Sequence, residues 1–157
     1  MKHAYLIPAH NEFEVLQKLI RSVDDPRNDI FIHIDSKVKS LPNLKAEYSS
    51  VQIINDRVDV RWGDYSVFQA ELKLFESASK VYTYEYYHLL SGVDMPLKTQ
   101  DYIHQFFKNN TGKEFIGYFK GDITSEIDRK VQKYHLFPKS FREAKNLNLL
   151  KKASRSI

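Results

Sequence analysis

Cysteine is absent from this chain of 157 residues, which removes disulfides, thiolate metal sites and thiol nucleophiles together and fits a reducing compartment. Glycine is sparse and scattered, five in all. Neither a G-x-G-x-x-G turn nor a Walker-type lysine loop is present, so kinases, ATPases and ordinary dehydrogenases are disfavoured. Without a G-x-S-x-G elbow the covalent hydrolase routes lose their support as well. No Asp-x-Asp occurs. Glu12-x-Glu14 and Glu126-x-Asp128 are carboxylate pairs by spacing but read as exposed helix positions. His3, His10, His33, His88, His104 and His135 have no compact ligand spacing, so no metal site is expected. No apolar run approaches the length of a membrane span, and residues 5–9 are too short for the core of a signal peptide. The chain is therefore expected to begin where the sequence does, in the cytoplasm.

What remains is the composition of an ordinary globular domain, long enough for one real core. The formal charge of +4 is unevenly spread. Arg129, Lys130, Lys133, Lys139, Arg142, Lys145, Lys151, Lys152 and Arg155 face the single acid Glu143, so the basicity belongs to the tail and the preceding part is net acidic. Such a tail, read as a basic helix over 139–157, supports one functional alternative. In it the chain is a non-catalytic scaffold that attaches to anionic membrane or nucleic acid, with peripheral contact at the inner face of the membrane.

The hydrophobic pattern predicts alternating strands and helices. A strand over 4–9 is followed by Asn11-x-x-Glu14, a capping-box-like start, and by Phe13, Leu16, Leu19, Ile20 and Val23 at helical spacing. Asp24, Asp25 and Pro26 end that helix before a strand over 29–34. A short amphipathic helix is predicted over 41–49 and a buried strand over 51–54. Asp64 or Ser66 caps a helix whose apolar face is Phe68, Leu72 and Phe75 with Ala78 beside them. An aromatic strand over 84–90 follows, with Tyr82, Tyr84 and Tyr86 on one face of the sheet as packing residues. Thr99 caps a helix over 100–109, and residues 115–119 form a further strand. This order is that of a mostly parallel sheet flanked by helices.

Three of the strands end abruptly in polar residues. The first stops at His10-Asn11-Glu12, the second at Asp35-Ser36-Lys37 and the aromatic strand at Ser91-Gly92-Val93-Asp94. In an open α/β sheet, ligands sit beyond the carboxyl ends of the strands. A nucleotide lying there finds in Asp35 an acceptor for a ribose hydroxyl or a uracil N–H, and in Lys37 a donor for phosphate. The plainer alternative is that Asn11 caps a helix while Asp35 and Lys37 shape a turn.

Four segments stand in a recognisable order: AYLIPAH over 4–10, FIHIDSK over 31–37, VRWGDYS over 60–66 leading into QAEL over 69–72, and YHLLSGVDMPLKT over 87–99. In this order they resemble the core-2/I-branching enzyme family of β-1,6-N-acetylglucosaminyltransferases and peptide O-xylosyltransferases, in register over residues 3–120. The resemblance implies a GT-A-like, Rossmann-like domain that binds a UDP-sugar, carries N-acetylglucosamine or xylose, and inverts at the sugar carbon without a metal or other cofactor. By position, Pro8, Ala9 and His10 line the nucleoside pocket, Asp35, Ser36 and Lys37 lie beside the uridine, and Trp62 and Gly63 fall in a third nucleotide-contacting loop. Asp94 lies beneath the donor sugar, where it holds a hydroxyl or braces the turn before Pro96. Glu114 lies near the acceptor sugar or is a strand-edge carboxylate.

In the family the general base, and the cations that receive the diphosphate, come from a C-terminal half expected beyond Ile157. The expected organisation is a nucleotide-sugar domain over 1–120 and an incomplete basic segment over 121–157. The expected partners are a UDP-sugar and a glycan or protein acceptor. By itself the chain is expected to be inactive or incomplete, because transfer needs both the base and positive charge on the leaving group.

Overall fold

Two strands are buried along nearly their whole length, with apolar centres, because each is covered on both faces. β1 (His3–Ala9) and β2 (Asn28–Ile34) are buried nearly end to end. They pair in parallel, with Tyr5 opposite Ile30 and Ala9 opposite Ile34. β3 (Ser50–Ile53) lies outside β2 and β4 (Tyr86–Leu89) outside β1, both parallel, in the order β3-β2-β1-β4. As an edge strand, β3 alternates exposed and half-buried residues. The structure, a computed structural model, describes residues 1–61, 63–117 and 121–130.

Helices cover both faces, which gives the α/β, GT-A-like arrangement of a Rossmann-type parallel sheet. On one face α1 (Phe13–Ser22) packs Leu16, Leu19 and Ile20 against Tyr5, Ile7, Ile30 and Ile32. α3 (Gln100–Asn109) joins that face, where Gln100 Oε1 accepts from the Tyr5 hydroxyl and the Asn28 amide. On the other face α2 (Ser66–Val81) sets Leu74 and Ala78 against Ala4, Leu6, Phe31 and Ile54. Truncating a fully buried residue such as Leu74 to Ala costs about 2–5 kcal/mol. The chain forms two compact units, Met1–Gly112 and Lys113–Ile157. Among the described residues of the second, α4 (Thr124–Lys130) is helical.

Several local expectations are corrected. Asn11 does not cap α1: the cap position is Glu12, held at φ 51° in the left-handed region, and no side chain caps the helix. A capping box needs an extended cap residue, which this conformation forbids. Residues 41–49 are not helical. Nine residues are too few to hold a helix by propensity alone. The backbone there bonds instead to side chains of α1 and the turn after it: Asp24 accepts the N–H groups of Glu47, Tyr48 and Ser49, and Gln17 brackets Lys45.

The face of α2 is also different. Ser66, Ala70, Leu74 and Ala78 turn inward, while Phe68, Leu72 and Phe75 are exposed. The sequence offers two apolar rows, and the one with small residues lets helix and sheet approach closely. Tyr82, Tyr84 and Tyr86 do not share a face, because β4 begins only at Tyr86. Tyr84 packs on Phe31 and Tyr87, whereas Tyr86 packs on His3 and Phe107. Residues 115–117 form no strand, and 118–119 lie outside the described residues. Thr99 does cap α3, its Oγ1 accepting from Tyr102 N–H at 3.4 Å.

Candidate functional site

All four strands run the same way, so their carboxyl ends meet on one border. The strand order reverses its direction of growth between β1 and β4, and at such a switch point the connections leave in opposite directions and open a crevice. The tips there are tied to one another by backbone. Asp35 N–H donates to Ala9 O at 3.0 Å, Leu90 N–H to Leu6 O at 3.0 Å and Gly92 N–H to Pro8 O at 3.1 Å. The last two bonds carry the β1–β4 pairing past the end of β4. A Cβ at Gly92 would stand 2.8 Å from that of Ala9, so only glycine fits beside β1 at this point.

Of the expected nucleoside residues, Pro8 is half-buried, Ala9 is buried and His10 projects into solvent. Asp35 is 4% exposed, and its Oδ1 accepts Lys37 N–H at 2.8 Å, while Val38 N–H returns to Asp35 O. The turn that the plainer alternative describes is therefore formed. Ser36 is exposed beside it.

Lys37 lies on the surface, with Asp59 Oδ1 at 2.8 Å, Asp35 Oδ2 at 3.0 Å and the Val60 carbonyl around its ammonium. Those three acceptors match its three protons. The bond to Asp59 raises the pKa of Lys37 against the opposing effect of burial, with Asp35 adding to the rise. Asp59 also receives Arg61, so the loop after β3 and the turn after β2 are bound by alternating charges.

Two further residues complete this construction. His33, fully buried in β2, accepts Val58 N–H on Nε2 at 2.9 Å, and desolvation lowers its pKa. Arg57 donates through Nη2 to the carbonyls of Asp35, Ser36 and Val38. Neither role depends on a neighbour in sequence, which is why spacing could not reveal it.

Gly63 has φ 78° in the turn closed by Asp64 N–H on Arg61 O, and Asp64 in turn accepts Ser66 N–H at the start of α2. Trp62 lies outside the described residues. Asp94 is exposed, and its carboxylate accepts Ser91 N–H at 2.7 Å while its own N–H meets Ser91 O at 3.1 Å, which is the bracing geometry. Glu114 is exposed in the second unit. Of the basic tail, 131–157 lie outside the described residues. Among the described residues no group of three His, Asp or Glu side chains could hold a metal ion. No helix among them is long and apolar enough to cross a membrane.

At this border Pro8 is half-buried, Ala9 and Asp35 are buried, and the hydroxyl-bearing Ser36 and Ser91 are exposed.

Comparison with known proteins gives a consistent picture. The family model described as Core-2/I-Branching enzyme matches residues 3–151. The chain is 29% identical over 117 residues to an N-acetyllactosaminide beta-1,6-N-acetylglucosaminyl-transferase of Homo sapiens, a match covering 70% of this chain and 29% of the relative. It is 22% identical over 120 residues to xylosyltransferase 2 of Mus musculus, covering 72% of this chain and 14% of the relative. To a beta-1,3-galactosyl-O-glycosyl-glycoprotein beta-1,6-N-acetylglucosaminyltransferase of Bos taurus it is 28% identical over 102 residues, covering 61% and 24%. The chain thus spans between 14% and 29% of the length of these curated relatives.

Proposed function

This chain belongs to the core-2/I-branching enzyme family, and from that premise we propose that it is the donor-binding part of an inverting glycosyltransferase that uses a UDP-sugar without a metal. The sugar is N-acetylglucosamine or xylose, and the acceptor is a glycan or protein hydroxyl. The observation that supports this reading best is the meeting of the β1, β2 and β4 tips on one border at the switch point of the sheet.

In this reading Pro8, Ala9 and His10 line the nucleoside pocket, and Asp35 accepts a uracil N–H or ribose hydroxyl. Ser36 adds a hydroxyl beside it. Trp62 and Gly63 belong to a third loop that contacts the nucleotide, and Asp94 fixes the turn under the donor sugar. Lys37 meets the diphosphate only if it exchanges Asp59 for phosphate, so in the geometry described it acts first as a tie between loops. Transfer requires a base to take the acceptor proton and positive charge to receive the leaving UDP. No residue of this chain is assigned either role, and the chain alone binds donor without turning it over.

Isothermal calorimetry of the full chain with UDP, repeated in EDTA and with CMP as control, tests the reading. Binding of UDP that EDTA leaves unchanged supports it, and a folded chain that ignores UDP rejects it. A radiolabelled UDP-N-acetylglucosamine assay is expected to give no product from the chain alone.

A further inference from the structure

We propose that Arg57 is a positioning residue of the cleft, holding the turn after β2 in the shape that presents Asp35 and Ser36 to a nucleotide. The inference rests on the nucleotide reading for its functional half and on hydrogen bonds for its structural half.

Three carbonyls of one turn point at one guanidinium nitrogen. Arg57 Nη2 lies 3.1 Å from Asp35 O, 3.0 Å from Ser36 O and 2.7 Å from Val38 O. A turn whose carbonyls converge is held against their mutual repulsion, and a cation at their focus removes that cost. No carboxylate competes for Arg57 among the described residues: Asp35, Asp56 and Asp59 send their oxygens to Lys37, Lys73 and Arg61. Arg57 Nε is buried with no partner among those residues either, so the side chain gives up a hydrogen bond to keep Nη2 at the focus.

The amides of the turn are equally committed. Asp35 N–H goes to Ala9 O, Ser36 N–H to Val58 O, Lys37 N–H to Asp35 Oδ1 and Val38 N–H to Asp35 O. The backbone from 35 to 38 therefore offers a ligand few unpaired groups, and recognition falls to the Asp35 carboxylate and the Ser36 hydroxyl. Their placement depends on the backbone that Arg57 fixes. A turn ordered before the ligand arrives spares the ligand the cost of ordering it. Lysine could reach the same focus with charge but without the planar fork.

The test uses the full chain with Arg57→Ala and Arg57→Lys, and Ile20→Val as a core variant of lowered stability away from the cleft. Amide hydrogen exchange is read at residues 36–38 and in β1 and β2. UDP affinity is measured in parallel with and without methylguanidinium below denaturing concentrations. Arg57→Ala is expected to lose protection at 36–38 while β1 and β2 keep theirs, and to bind UDP at least about tenfold more weakly. Methylguanidinium should restore part of that affinity, and Arg57→Lys should fall between. Unchanged protection at 36–38 overturns the inference, whatever UDP does. So does an affinity loss that Ile20→Val reproduces at equal stability. If the unaltered chain does not bind UDP, the nucleotide reading fails on its own, and exchange at 36–38 still decides whether Arg57 holds the turn.

Discussion

The two borders of the sheet are both rich in polar residues, yet they spend them differently. At the amino-terminal border His3, Asn28 and Asp29 are each less than 5% exposed. Asn28 donates to Val23 O and Gln100 Oε1, while its Oδ1 meets His104 Nε2. Gln100 Nε2 completes the chain of bonds at Ser22 O, so α1, α3 and the sheet are locked through amides. On the opposite face Asp29 receives Lys2, Tyr84 and Ser50. Burial works to raise its pKa, but those three donors outweigh it and the net direction is downward.

At the carboxyl border backbone bonds, the ion pairs of Lys37 and the side chains of His33, Asp35 and Arg57 tie the tips together, and His10, Ser36 and Ser91 stay in solvent. Buried, closed networks specify packing, and open ones leave groups for a ligand. An open hollow of 460 Å³ at the amino-terminal border, lined by Met1, Arg27, Asp101, His104, Gln105 and Lys108, does not reverse this contrast. Arg27 there is already bound by Asp25 and Asp101.

The largest effect expected from breaking this contrast is at Asn28. Asn28→Ala takes their Asn28 partner from Val23 O and His104 Nε2, removes one of the two donors to Gln100 Oε1, and should cost about 3 kcal/mol in urea unfolding, whereas Ser36→Ala should leave stability within about 0.5 kcal/mol. Equal losses at the two sites would erase the distinction between the borders.

Acid should act on the same buried border. His3 and His88 touch, Nδ1 to Nε2 at 3.0 Å, and His3 stacks on His104. Burial, with His104 and His88 as lesser causes, lowers His3 to about 3, and burial with His104 lowers His88 to about 4. Burial and Arg27 push His104 down as well. The amino-terminal ammonium and Arg27 oppose protonation of His3, while Asp25 and Asp101 favour it at His104.

Folded values below the ordinary 6.5 mean that the unfolded chain takes up protons first. Stability is therefore whole above pH 6.5 and is lost as pH falls toward 4 and 3, by up to about 1.4 kcal/mol per unit for each histidine. Thermal unfolding from pH 7 to pH 5 measures the slope, and His88→Phe should flatten it. A slope untouched by that substitution would take His88 out of the account.

Gly92→Ala sharpens the comparison at the other border. The added Cβ meets Ala9 at 2.8 Å, and the strain should cost about 1–3 kcal/mol and weaken UDP binding, since the β1 and β4 tips must part. Asp35→Asn keeps one carbonyl acceptor and should lower stability by only about 1 kcal/mol, with a clear loss of UDP affinity by calorimetry. A change in stability as small as that of Ser36→Ala is expected for Lys37→Met, because its pair with Asp59 is exposed and such pairs contribute about 0–1 kcal/mol.

Much of this organisation is legible in the chain itself. The apolar runs that stop at His10, Asp35 and Ser91 state both the parallel sheet and the border at which its polar tips lie, because β1 and β2 are covered on both faces. Asn11-x-x-Glu14 misleads, since Glu12 takes a left-handed conformation that no local pattern announces. Residues 41–49 mislead for a related reason: the side chains that bind their backbone, Asp24 and Gln17, lie more than twenty positions away.

By itself, then, the sequence determined the strand–helix alternation and the polar strand ends, since periodicity and turn chemistry act over a few residues. Only the tertiary structure decided which apolar row of α2 turned inward, that Lys37 spends its charge on Asp59, and that Arg57 gathers three carbonyls of the turn after β2. Those outcomes depend on groups far apart in the chain, and close packing selects among them only once the sheet has brought them together.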